Sequence, residues 1–361
     1  MRRGIVASPL GRGMVASLLV LAGWLGASSL GATSPTCSLS GEHLMSWPTG
    51  NPVWEFCWLQ PTDSSGSNGS GLEIRNVYYN GHLVMKRGHI PILNVLYEPR
   101  GCGCFRDWLF SEVRFDADNV ISPGYAEPDT PPLTVCDTGG SGGDVGSFTG
   151  VAAEKTLPDK LVMTTQLEAG WYRYTMKWRF YLDGRIEPVM GFAAVDSSCI
   201  AFTHRHHAYW RFDFDIDGPA NAVVQEMHRP VLSHNPGPPN SPTTITTEVM
   251  HDNTNGELSW MITNSSTGRG YSIIPGSEVA LPPDTFAVGD VWFLKYHADE
   301  IDDAGNPGPS CAIHFDPYLN GETLADDVVM WYRTGWLHLG DELDDCDMVG
   351  PLLSPVGDWS P

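Results

Sequence analysis

Apolar residues recur along this chain in short runs rich in β-branched and aromatic side chains: LEIRNVYY, HLVMKR, ILNVLYE, LVMTTQLEAG, WYRYTMKWRFYL, RIEPVMGFAAV, AYWRFDFDI, AVVQEM, TTITTEVM, LSWMIT, YSIIPG, VWFLKYH and VVMWYRTGWLHL. Alternation at a period of two places apolar side chains on one face of a strand. Gly, Pro, Asn and Asp separate the runs, and YYNGH, YLDGR and NTNGE carry dipeptides typical of tight hairpins. No window shows the 3.6-residue period of an amphipathic helix of ordinary length. The pattern predicts an all-β chain folded as a large antiparallel β-sandwich, without internal repeats.

Three stretches depart from it. Residues 1–32 begin with Arg2, Arg3 and Arg12 and continue as MVASLLVLAGWLGASSLGA, which reads as a signal peptide cleaved near Ala32. The alternative is a membrane anchor, but the most apolar part, Met14 to Leu25, is short for a span, and no later segment is apolar for long enough to cross a bilayer. Residues 33–71 end in TDSSGSNGSG and are expected to form an irregular segment and linker, with the ordered domain over 72–361. Residues 125–155, with TPP, TGGSGGDVGS and FTG, predict a long loop.

Composition sharpens the picture. With 361 residues, 42% hydrophobic and 11% aromatic, the chain can bury a substantial core. Loss of residues 1–32 removes three arginines and no acid, so the formal charge moves from -22 to -25 and nucleic acid is excluded as a partner. All eight cysteines (37, 57, 102, 104, 136, 199, 311 and 346) lie beyond the leader; an even number in an exported chain predicts disulfides and a secreted or periplasmic location. Cys102 and Cys104 are too close to pair with each other comfortably, so each is expected to bond elsewhere, with a CxC metal site as the alternative.

The chemistry gathers in THRHHAYWRFDFDIDG, residues 203–218. On a strand, His204 and His206 point to one side, and His207 to the other. Asp213, Asp215 and Asp217 stand at odd spacing from the histidine pair and are expected on the opposite face unless a bulge intervenes. Imidazoles suit copper, zinc, nickel or iron; carboxylates suit calcium or magnesium. A third imidazole is needed, and spacing alone leaves His228, His234, His251, His297, His314 and His338 open.

HRHHAYWRFDFDIDG resembles the copper-ligand strand of the copper amine oxidases, and DDVVMWYRTGWLHL is similar to that family's D-x-V-x-W followed seven residues later by the third copper histidine. GLEIRNVYYNGHLVMKRGHIPILNVLYEP resembles the opening of the catalytic domain, which leads to an active-site tyrosine. The resemblance runs from about Gly71 to Pro361. It implies copper on His204, His206 and His338, calcium on Asp213, the Phe214 carbonyl, Asp215, Asp327 and the Val328 carbonyl, and an active-site tyrosine at Tyr97. It also implies a homodimer, and topaquinone formed from Tyr172 in AGWYRYTMKWRFYLDG, where the downstream W-x-F-x-x-D-G is intact. Here Trp171 stands for the family's asparagine and Arg173 for its acid, and these neighbours are expected to lock the tyrosine ring or hold it by cation–π contact. The general base has no clear register, with Asp107, Glu112 and Asp116 as candidates. The implied reaction takes a small primary amine, O2 and water to aldehyde, ammonia and hydrogen peroxide. The rival expectations are a secreted copper-binding protein on the same fold without oxidase activity, and a zinc-stabilised structural module.

Overall fold

The structure, a computed structural model, describes residues 34–361 apart from 99, 139–143, 196, 229–240, 254–255, 277–287, 304–312, 314 and 341–345. The leader 1–32, His234, Cys311 and His314 lie outside the described residues. Among those described there is no α-helix. The chain lays down β1 (His43–Trp47), β2 (Trp54–Leu59), β3 (Glu73–Tyr79), β4 (His82–Glu98) and β5 (Cys104–Asp107) in a first sheet. A second sheet follows with β6 (Val120–Ser122), β7 (Tyr125–Ala126), β8 (Val151–Glu154), β9 (Lys160–Ala169), β10 (Tyr172–Tyr181) and β11 (Ile186–Ala194). The first sheet then gains β12 (Thr203–Phe214), the second β13 (Ala222–His228) and β14 (Thr243–Ile245), and the first β15 (Val249–His251). Next come β16 (Leu258–Asn264) and β17 (Gly270–Ile274) in the second, β18 (Val291–Lys295) and β19 (Val328–His338) in the first, and β20 (Met348–Val349) and β21 (Leu352–Val356) in the second. Pairing is antiparallel throughout except between β7 and β8.

Strands β10 and β12 face each other across the core and set its character. Their inward residues are Tyr172, Tyr174, Met176, Trp178 and Phe180 from one sheet and His204, His206, Ala208, Trp210, Phe212 and Phe214 from the other, all buried. Trp178 meets Trp210 edge to face with ring centroids 5.2 Å apart. Each such ring removes roughly 150–250 Å² from water, so the aromatic pairs dominate the cohesion of the two layers. A second cluster, with Ile92, Tyr209, Trp292, Phe315 and Trp331, covers the opposite face of the first sheet. Burial on both sides leaves Arg211 and Asp213, the two charged residues in the second half of β12, buried as well.

The hairpin signals divide. Asn80 and Gly81, both at positive φ, turn β3 into β4, and Gly184 closes the turn between β10 and β11. NTNGE stands between β15 and β16, which belong to different sheets, so it marks a crossing and not a hairpin. The segment expected to be irregular, 33–71, contributes β1 and β2 to the edge of the first sheet. There Trp54, Phe56 and Trp58 alternate into the core, and a Cys37–Cys57 disulfide ties down the preceding stretch. The 125–155 stretch is broken by β7, a short 3-10 turn at Val135–Asp137, and β8. Further disulfides join Cys102 to Cys199 and Cys136 to Cys346, and Cys104 is also disulfide-bonded, so the cysteines of the CGC stretch each pair elsewhere.

Candidate metal centre and adjoining cavity

Register brings the three histidines together. His204 on β12 lies directly opposite His338 on β19, and His206 follows two residues along on the same face. Their ligand atoms all fall within 4.8 Å of one another, and the rings of His204 and His338 stack 4.9 Å apart. The other candidates among the described residues lie elsewhere: His228 and His251 pair with Glu226, and His297 with Glu322.

Hydrogen bonding fixes which nitrogens face the cluster. His204 Nδ1 donates to the Phe202 carbonyl at 2.7 Å, and His206 Nδ1 stands 3.5 Å from the Tyr174 hydroxyl. The Nε2 lone pairs are therefore turned inward. Burial holds the imidazoles neutral: it lowers His204, pushes His206 well below the usual range, and brings His338 down to about 3. His206 Nε2 and His338 Nε2 are buried without a hydrogen-bond partner. Leaving such atoms unmade costs about 1–3 kcal/mol each, which a shared divalent metal would offset. Three neutral imidazoles suit copper, zinc, nickel or iron.

Tyr172 enters this cluster from the opposite sheet. Its hydroxyl donates to His204 Nε2, and its ring lies 4.2 Å from that of His206. Strand alternation sends Arg173 the other way, where its guanidinium pairs with Asp144 and Glu168. The expected cation–π contact with Tyr172 does not occur among the described residues, because adjacent strand residues occupy opposite faces. Trp171 sits in the two-residue turn between β9 and β10, where Gly170 takes the left-handed backbone (φ +59°) that such a turn requires. From there its indole N–H donates to the Tyr97 hydroxyl at 2.8 Å. Tyr97, opposite His204 on β4, stacks on that imidazole at 4.6 Å.

Of the three candidate acids only Asp107 joins the site. It ends β5, which pairs with β4 beside Tyr97, and its carboxylate accepts from the Tyr174 hydroxyl. Burial pushes its pKa up to about 7, against the lowering effect of that hydrogen bond. Glu112 and Asp116 instead form backbone bridges to Leu167 and Leu133, outside the cavity. Tyr174 was missed in the sequence although period two places it beside Tyr172; Asp107 left no local signal beyond its apolar neighbours.

A cavity of about 110 Å³ leads to Tyr172, walled by Val95 and Tyr97 of β4, the Phe105–Trp108 stretch, and Ala169 to Tyr172. Phe105 and Trp108 stand at its mouth, 37% and 40% exposed.

A second cluster occupies the far end of β12. Asp213, Asp215 and Asp327 present carboxylate oxygens within 4.8 Å of one another, on the face opposite the histidines as spacing predicted. One oxygen of each is buried without a partner, and burial with mutual repulsion raises Asp215 to about 8. Asp217 is not part of it; it pairs with Arg269 at 2.7 Å. Asp213 also pairs with Arg211 at 3.7 Å, and three converging carboxylates with one unpartnered oxygen each fit a hard cation such as calcium.

The family profile described as "Copper amine oxidase, enzyme domain" matches residues 192–349, a span that contains both ion clusters and begins after Tyr97, Asp107 and Tyr172. The primary amine oxidase and the copper methylamine oxidase of Arthrobacter sp. (strain P1) are each 24% identical over 256 aligned positions, covering 57% of this chain and 39% of theirs. The chain thus spans well under half the length of these curated relatives. Among solved structures, a copper-containing benzylamine oxidase from Hansenula polymorpha matches with TM-score 0.63 at 15% identity, over 92% of this chain and 64% of its own. Pichia pastoris lysyl oxidase matches with TM-score 0.58 at 14% identity, over 84% and 51%. At such identities the two structures speak for the fold. Residues 192–349 thus resemble the copper amine oxidase enzyme domain, and the likeness first visible in the histidine strand extends, as a likeness of fold, through most of the chain.

Proposed function

We propose that this chain is a copper-dependent primary-amine oxidase, secreted or periplasmic and assembled as a homodimer, that converts a primary amine, O2 and water to aldehyde, ammonia and hydrogen peroxide. The observation that carries the reading is the meeting of Tyr172 with the three-imidazole cluster at the inner end of a cavity that also holds Asp107. His204, His206 and His338 would hold the copper, and Tyr172 is the precursor of the quinone. When present, the two groups supply dioxygen activation and a two-electron oxidant for the amine.

The chain's own residues do the rest. Asp107 takes the proton from the substrate carbon: a buried carboxyl with a pKa of about 7 divides between acid and base near neutral pH, which suits proton transfer in both directions. Tyr174 aims the Asp107 carboxylate. Tyr97, fixed by the Trp171 indole and packed on His204, walls the cavity and keeps water from the inner end. Disulfides Cys37–Cys57, Cys102–Cys199 and Cys136–Cys346 support the extracytoplasmic location. Asp213, Asp215 and Asp327, with the Phe214 and Val328 carbonyls, would take calcium in a supporting role.

A second reading, a copper-binding protein without oxidase activity, is favoured by Trp171 in the place of the family's asparagine and by the Tyr172 hydroxyl lying on His204. Peptide mass analysis after aerobic copper loading separates them. The oxidase reading expects an oxidised tyrosine in the Tyr172 peptide, absent in Tyr172→Phe along with amine-dependent peroxide release and a phenylhydrazine-sensitive visible band. An unmodified Tyr172 in fully copper-loaded protein would sink that reading and leave the copper-binding one.

A further inference from the structure

The cavity itself says which amines reach Tyr172. Its lining is aromatic and aliphatic on nearly every side: Val95, Tyr97, Phe105, Trp108, Trp171 and the Tyr172 ring. An apolar cavity of about 150 Å³ accepts benzene. At about 110 Å³ and open past two exposed rings, this one fits a short alkyl chain or a single aryl ring projecting toward the mouth. Outside it the collar continues, with Trp108 stacked beside Phe110.

The charges in the wall are just as selective. Asp107 is the one carboxylate among the described lining residues, and it lies deep, held by Tyr174. The other charge is Arg106, whose guanidinium is pinned by two bonds to Asp303, at 2.9 and 2.7 Å, and one to Asn94 at 2.9 Å. Its two neighbouring acids are thereby committed: Asp303 to this fork, and Asp302 to Ser67 at 2.6 Å, with Arg106 3.8 Å away. A substrate carrying a second ammonium would have to place it against the Arg106 guanidinium and an apolar collar, since neither Asp302 nor Asp303 lines the cavity and both lie on the arginine. An exposed indole attracts a cation only weakly, too little to reverse that balance.

We infer that the site selects primary monoamines bearing one compact apolar substituent, an aryl-alkyl group in particular, over diamines and polyamines, and that Phe105 and Trp108 are the residues that set this preference. This rests on the amine oxidase reading for its turnover, but not for its binding. The substituent lies between the Phe105 and Trp108 rings while the amine reaches the Tyr172 end beside Asp107.

The test compares 2-phenylethylamine with 1,5-diaminopentane on copper-loaded full-length protein, by peroxide release and, independently, by titration calorimetry. The expected kcat/KM ratio is at least about tenfold in favour of 2-phenylethylamine. Trp108→Ala should raise its KM about tenfold with little change in kcat, the signature of lost uniform binding. Trp108→Glu should narrow or invert the preference by giving the second ammonium a partner. Both replace a side chain at the exposed mouth, so folding is preserved. If peroxide is released but the diamine is preferred, the inference is overturned and the oxidase reading stands. If no amine releases peroxide yet 2-phenylethylamine binds more tightly than the diamine and loses that advantage in Trp108→Ala, the inference stands and the oxidase reading falls. If the two amines bind equally, or neither binds, the inference is overturned.

Discussion

At the scale of single residues, the metal cluster depends on imidazoles that are neutral because they are buried. His206 and His338 have unpartnered Nε2 atoms, so neither is held by an alternative bond at that atom, whereas His204 Nε2 accepts from the Tyr172 hydroxyl. Removing one of three ligands should be decisive: His338→Ala is expected to lose stoichiometric copper, measured by metal content after dialysis, and an unchanged content would dismiss the site as drawn. Asp107 makes a different prediction. The base must be ionised to act, so the rate should rise as pH increases through about 7, and Asp107→Asn should lose about 10²–10⁴-fold in amine oxidation with copper content intact. The stability sign runs the other way. A carboxyl whose folded pKa is raised contributes most at low pH, and its contribution falls as pH rises from about 4 to about 7. The two kinds of residue also differ in legibility. HxH declares itself in sequence because its geometry is set by one strand. Asp107 acquires its character from Tyr174, 67 positions away, and from a wall built by β4 and the β9–β10 turn, none of which local pattern reports.

At the scale of elements, β12 presents the histidine pair and Asp213 on opposite faces, and period-two alternation alone was enough to separate them. What the sequence could not give was the fate of Trp171 and Arg173. Beside Tyr172 they look like a single perturbation, but one belongs to a turn and the other to the outer face of β10, where Asp144 and Glu168 neutralise it. The strands of 43–59 were likewise obscured, because Gly, Pro and Ser around them signal turns more loudly than six-residue WEFCWL signals a strand. The carboxylate end of β12 yields a stability prediction. Calcium that binds only the native state at ~100 times its Kd adds about 2.7 kcal/mol, so chelation should lower the melting temperature by several degrees. Asp327→Asn should remove most of that calcium-dependent gain. An equal gain in the variant and its parent would exclude the assignment.

At the scale of the whole molecule, the disulfides close long loops: Cys102 to Cys199 spans 97 residues and Cys136 to Cys346 spans 210. Chain-entropy reasoning assigns loops of this size about 5 kcal/mol each. Full reduction should therefore lower the calorimetric melting temperature markedly, and a reduced protein melting with the oxidised one would show that the sheets alone carry the stability. The antiparallel sandwich was legible from run length and turn spacing; which strands share a sheet was not, since the chain crosses between layers repeatedly and crossings leave no periodic trace. The tyrosine and the imidazoles belong to different layers, and the same two strands that bring them together, β10 and β12, are held apart further along by Trp178 against Trp210 and Phe212. The thickness of the aromatic filling is thus the ruler for the reactive gap. A smaller ring at Trp210, well removed from any reacting atom, would let the layers settle closer and change how far Tyr172 stands from His206, so the gauge of this centre is kept by its hydrocarbon as much as by its ligands.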